Sequence, residues 1–146
     1  NNWLGSKTKQ GFYKMTKNAS GKREILSLDL NTLEYRAKKS AKFETLELTK
    51  TIDNVADRFK VLVAGKDKAG EFYRKSFAAM FAYVQNRIPE ISDELYRIDD
   101  GLRAGFGWEH GPFQIWDAIG VAKGVEIMKA EGKEPAGWVT EMLAKG

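Results

Sequence analysis

The 146-residue chain has no cysteine, one histidine and three prolines. Without cysteine there is no disulfide framework, no thiolate nucleophile and no cysteine-based metal site. That suits a reducing compartment, and a cytoplasmic location is the expectation. No apolar run approaches the roughly 18 residues of a membrane span, and the opening NNWLGSKTKQ has no charged-then-apolar signal pattern. A strong charge is missing too: 24 Lys and Arg stand against 20 Asp and Glu, a formal net charge of +4. The two signs read as interspersed along most of the sequence. Counterion release needs a concentrated basic face, so nucleic acid is not an expected partner.

What is present suits one domain with a core of its own. The chain opens on Asn1-Asn2 without an initiator Met and enters almost at once into a strand-like GFYKM, which reads as an excised piece of a longer polypeptide. Around TKNASGK, whose Asn, Ser and Gly supply turn chemistry, the pairs Phe12-Tyr13, Ile25-Leu26 and Leu28 with Leu30 predict a β-hairpin ended by Leu33 and Tyr35. YRAKKSAKFETLELTK reads as a connector with a solvated lysine surface. NAS at 18–20 matches a glycosylation pattern by chance.

From Thr51 the period becomes helical. Ile52, Val55, Ala56, Phe59, Leu62 and Val63 make one apolar stripe that Gly65 closes. Asp67 is the expected N-cap of a central helix whose buried face holds Phe72, Tyr73, Ser76, Phe77, Met80, Phe81 and Val84, interrupted near its end by Pro89. Ser92 is the expected cap of a third helix that turns Leu95, Ile98 and Leu102 inward and ends at Gly105. Pro112 starts a short helix with Phe113, Trp116 and Ile119 buried and Gly120 as its stop, and two more short helices follow, AKGVEIMKAEG and AGWVTEMLAKG. The fold class is mainly α with a small N-terminal β-hairpin.

The stretch GFGWEHGPFQIWDAIG, 105–120, concentrates aromatics, breakers and the one imidazole. As a general base or ligand, His110 needs partners: there is no second His or Cys, and no adjacent nucleophile. GFG lacks the third Gly and the preceding strand of a dinucleotide loop. The structural reading uses every residue: Gly105 ends a helix, Gly107 permits a tight path, Gly111-Pro112 starts the next, and Phe106, Trp108, Phe113 and Trp116 fill the corner. No catalytic, cofactor-binding or metal-binding residue is expected in the chain.

RIDDGLRAGFGWEHGPFQIWDAIG resembles the signature of the C-terminal helical domain of 3-hydroxyacyl-CoA dehydrogenases, through Ile98-Asp99, Gly105-Phe106-Gly107, Gly111-Pro112-Phe113, Asp117 and Ile119-Gly120. LGSKTKQGFYK at 4–14 is similar to the segment that ends one copy of this domain. The two occur in reversed order, as in tandem copies, so residues 1–40 are expected to close a preceding copy and add the hairpin and connector, with 41–146 a second copy. Such tandem copies occur in β-oxidation enzymes fused to an enoyl-CoA hydratase. The resemblance implies a multi-helix domain of the 6-phosphogluconate-dehydrogenase C-terminal-like type. Its partners would be the upstream NAD-binding domain and first helical domain of the same polypeptide, or a second copy in a homodimer, with acyl-CoA met only through the parent.

In the family, NAD and the His-Glu pair and Ser of the chemistry belong to a preceding domain, and one Asn comes from the helical domain. Asn86 in QNR is too close to Ile98 to match that Asn, and the family interval lands on Arg74. Arginine has donors only and cannot replace an amide that both donates and accepts. The resemblance therefore implies a non-catalytic copy that packs through its second helix and the corner at Trp108 and Trp116. A different reading is an acyl-CoA binding module, with Arg36, Lys38, Lys39 and Lys42 toward the CoA phosphates.

Overall fold

The computed structural model describes residues 3–146. The described chain divides into two compact units, one ending at Ala41 and one running from Lys42 to Gly146. No helix among the described residues is long and apolar enough to cross a membrane.

The first unit is a three-stranded antiparallel sheet in chain order, β1 (Tyr13–Lys17), β2 (Arg23–Leu28) and β3 (Tyr35–Ala37), preceded by one 3-10 turn at Ser6–Thr8. The β1–β2 turn forms because Asn18 Oδ1 accepts from the amides of Ser20, at 3.1 Å, and Lys22, at 2.9 Å, an arrangement asparagine offers in place of a backbone turn. The hairpin expected from the sequence is present, but it does not end at Tyr35. Asp29 Oδ1 accepts from Asn31 N at 3.0 Å, the chain reverses again through Leu33, and Tyr35 opens a third strand. Tyr35 Oη donates to the Gly11 carbonyl at 2.6 Å and the ring meets Trp3 edge-on, tying the third strand to the residues before the first.

Charge separates along the same boundary. Residues 1–41 hold nine Lys and Arg against three Asp and Glu, and residues 42–146 hold fifteen against seventeen. The signs are therefore not evenly interspersed; the surplus lies wholly in the β unit.

The second unit has seven helices: α1 (Glu44–Thr49), α2 (Val55–Ala64), α3 (Lys68–Gln85), α4 (Leu95–Phe106), α5 (Pro112–Ile119), α6 (Val121–Ala130) and α7 (Gly137–Lys145). The supposed connector thus supplies β3 and α1. Helix α2 starts three residues after Ile52 because Asn54 accepts from Ala56 N at 2.9 Å and fixes the N-cap there. Asp67 caps α3 as expected, accepting from Gly70 N at 3.0 Å, and also takes Thr45 Oγ1 at 2.7 Å, which pins α1 to the α2–α3 turn. Helix α3 is central, burying Phe77, Ala78, Phe81 and Val84, whereas Phe72 and Ser76 face water. It stops at Gln85, four residues before Pro89, as expected: the proline has no amide to donate to the Gln85 carbonyl, and Trp138 Nε1 donates there instead at 3.2 Å. The buried Gln85 side-chain amide donates to the Glu134 carbonyl and accepts from Ala136 N, both at 2.8 Å, tying the helix end to the start of α7.

Candidate functional site

The corner between α4 and α5 is built around Asp99. This residue sits on the inward side of α4 beside Leu95, Ile98 and Leu102, and it is buried. Its carboxylate accepts from the backbone amides of Phe113, at 2.8 Å, and Gln114, at 3.2 Å, so a residue of the preceding helix caps the N-terminus of α5. Gly111 N donates to Gln114 Oε1 at 2.9 Å and closes the other half of the cap. Gly111 lies so close to Asp99 that an added Cβ would collide with the carboxylate, which is why this position has no side chain. Burial pushes the Asp99 carboxyl up, and the two amides pull it down. At Asp67 the amides of Gly70 and Thr45 dominate and hold the carboxyl at about 2.

Helix α4 corrects two expectations. Ser92 does not cap it: its hydroxyl is spent on Glu94, accepting from the amide at 3.1 Å, and the helix begins at Leu95 with Glu94 in the cap position. Gly105 does not end it either. It lies inside the last turn, and Gly107, left-handed at φ 66°, ends the helix in a conformation that residues with a Cβ adopt only at a cost.

The aromatic residues of the corner split. Phe113 and Trp116 are buried, Trp116 stacking on Phe81 at 4.6 Å while its Nε1 donates to the Val121 carbonyl at 3.1 Å. Phe106 and Trp108 do not fill the corner; they are 71% and 42% exposed and lie against each other at 6.0 Å. Trp116, at 2% exposure, is therefore no part of a contact surface, while Trp108 is free to be. Trp108 lines a groove of about 540 Å³ with Met80, Tyr83, Ile91, Ile98 and Leu102. Asp117 is exposed beside a second hollow shared with Tyr96 and Trp138, and Gly120, at φ 97°, separates α5 from α6.

His110 packs edge-on against Phe59 at 5.7 Å, and its Nδ1 is buried without a partner. Glu109 beside it is exposed, and no cluster of potential metal ligands exists among the described residues.

Comparison with known proteins gives the ancestry. No family model matches the chain, and no solved structure matches it. A probable 3-hydroxyacyl-CoA dehydrogenase of Bacillus subtilis (strain 168) is 38% identical over 144 residues, which is 99% of this chain. Nearly the whole chain is thus similar to one segment of a 3-hydroxyacyl-CoA dehydrogenase. Putative fatty acid oxidation complex trifunctional enzymes of Rickettsia felis and Rickettsia prowazekii are 24% and 21% identical over 77% and 78% of the chain. The chain spans 18% of the length of the Bacillus relative and 14% of each rickettsial one.

The resemblance leaves one helical-domain position to locate, that of the expected Asn. Asn86 is the exposed C-cap of α3 and turns its amide back onto the Ala82 carbonyl at 2.8 Å. Arg74 lies within α3, where its guanidinium donates to the carbonyls of Val63, at 2.9 Å, and Gly65. It serves the C-terminal end of α2, satisfying acceptors that the helix leaves open. The dehydrogenase cofactor does not fit the corner either. A pyrophosphate wants the amides of a helix N-terminus, but the GFG glycines lie at the C-terminal end of α4, and the α5 amides are already taken by Asp99.

Proposed function

We propose that the helical unit is a non-catalytic copy of the 3-hydroxyacyl-CoA dehydrogenase helical domain, and that it supports packing against a neighbouring helical domain of a longer polypeptide. The observation that carries this reading is Arg74: at the position the family resemblance assigns to an amide, the chain holds a guanidinium committed to the carbonyls of α2. In the parent, an L-3-hydroxyacyl-CoA would be oxidised to the 3-ketoacyl form with NAD accepting the hydride, by residues outside this chain. The packing surface would be the groove under Tyr83 and Trp108, whose apolar lining is open to solvent. The basic positions Arg36, Lys38, Lys39 and Lys42 gain no special support as a CoA site, since all four are exposed and Arg36 is paired with Asp29 at 3.0 Å.

The test is NADH-dependent reduction of acetoacetyl-CoA by this chain, alone and mixed with the separately expressed remainder of a full-length relative. The expected result is no turnover alone and a gain in stability or activity of the mixture. Turnover by the chain unaided would overturn the non-catalytic reading, and an inert mixture would overturn the packing role.

A further inference from the structure

The basic surplus of the first unit has a defined place on its sheet. Cross-strand partners share a face, and the register pairs Tyr13 with Ser27, Met15 with Ile25, and Lys17 with Arg23. Tyr13, Met15 and Ile25 are all exposed, and Lys17 and Arg23 flank them, also exposed. Lys9 lines the hollow over Phe12, Tyr13, Met15 and Ile25. No ladder position on this face holds an acid: Glu24 points to the other side, and Asp29 is paired with Arg36. Among the described residues, no ion pair engages Lys9, Lys17 or Arg23.

We propose that this sheet face, with Tyr13, Met15 and Ile25 at its centre and Lys9, Lys17 and Arg23 around them, docks on an anionic lipid bilayer surface. Charge decides the sign of the partner, and size decides its kind. Strands of five, six and three residues span a face of about 17 by 10 Å at the usual rise and strand spacing. A specific protein interface takes about 800 Å² from each side, several times more than this. A single-stranded nucleic acid needs rings on which successive bases stack, and the strand positions of this face hold one ring, Tyr13, beside Met15 and Ile25, with Phe12 just before the strand. A bilayer interface asks for neither a large complementary area nor stacked rings. It accepts apolar side chains singly, seats tyrosine at headgroup level, and attracts each nearby Lys or Arg. The inference is independent of the role proposed for the helical unit.

The experiment is co-sedimentation of the 146-residue chain with phosphatidylcholine vesicles, pure or containing roughly a third phosphatidylglycerol, at low and high salt. The expected result is binding to the anionic vesicles alone, released as salt shortens the Debye length. Lys17→Glu with Arg23→Glu should lower the bound-to-free ratio by about tenfold or more. Met15→Ser with Ile25→Ser should lower it severalfold, with far-UV circular dichroism unchanged in both. Absence of sedimentation, equal binding to neutral vesicles, or wild-type binding by both folded double variants would overturn the proposal. So would tighter retention of an oligo-dT strand lost in the same variants, which would make nucleic acid the partner.

Discussion

Phe113 and Trp116 lie a few residues beyond Phe106 and Trp108, in chemically similar sequence, yet the first pair is buried and the second faces water. The difference is made by backbone hydrogen bonding more than by hydrophobicity. Beyond Gly111 the chain is helical from its first turn, because Asp99 and Gln114 satisfy the opening amides, and that helix carries Phe113 and Trp116 onto Phe81. Before Gly111, Phe106 ends α4 on its exposed side, the left-handed turn at Gly107 follows, and Phe106 and Trp108 lie against each other outside the core. An aromatic residue enters a core only when a fixed element aims it there.

The sharpest break of this contrast is Trp116→Ala. Removing a buried indole that stacks on Phe81 and Phe113 should cost about 3–5 kcal/mol, seen as a fall in the urea midpoint with little change in slope. A cost near that of a surface substitution would place Trp116 outside the core. Next comes Asp99→Ala, which leaves two amides of α5 without their acceptor and should cost about 1–3 kcal/mol. Near-UV circular dichroism should record the loosened packing of Trp116. Asp99→Asn, which keeps one acceptor oxygen, should cost less than the alanine.

The corner shows which information a sequence displays. Helix content, the Asp67 cap, the Pro112 start and the burial of Phe113, Trp116 and Ile119 follow from local periodicity and capping chemistry, and all are found. Asp99 and Gln85 were not legible as structural ties, because their partners lie 14 and about 50 residues away and no local rule connects them. The available signal was a polar residue on an apolar helix face, Asp99 among Leu95, Ile98 and Leu102. Gly105 and Gly107 are two residues apart, and composition does not say which is left-handed. The third strand was hidden because three residues are too few to show alternation.

Gly107→Ala tests the left-handed turn that ends α4 between Phe106 and Trp108. A Cβ meets nothing in space there, so the whole cost is conformational, about 1–2 kcal/mol for a left-handed residue. Gly105→Ala, in helical geometry two residues earlier, should stabilise slightly by the same measurement. A smaller contrast comes from acid. The Asp67 carboxyl, held at about 2 against an ordinary 3.8, contributes stability that is complete above pH 4. That contribution is lost as pH falls toward 2, so the acid slope of the wild type between those values should flatten in Asp67→Asn.

The smallest effect belongs to the exposed pair. Phe106→Ala and Trp108→Ala should each change stability by no more than about 0.5 kcal/mol, since the first ring is mostly in water and the second is half exposed. Their value lies in a second measurement. If the groove that Trp108 shares with Tyr83 and Ile91 is the packing surface, Trp108→Ala should weaken association with the remainder of a full-length relative while leaving the chain's own unfolding curve in place. Loss of association without loss of stability is the signature of a residue kept for a partner. Equal losses in both would return Trp108 to the core, beside Trp116, and erase the difference between the two sides of Gly111.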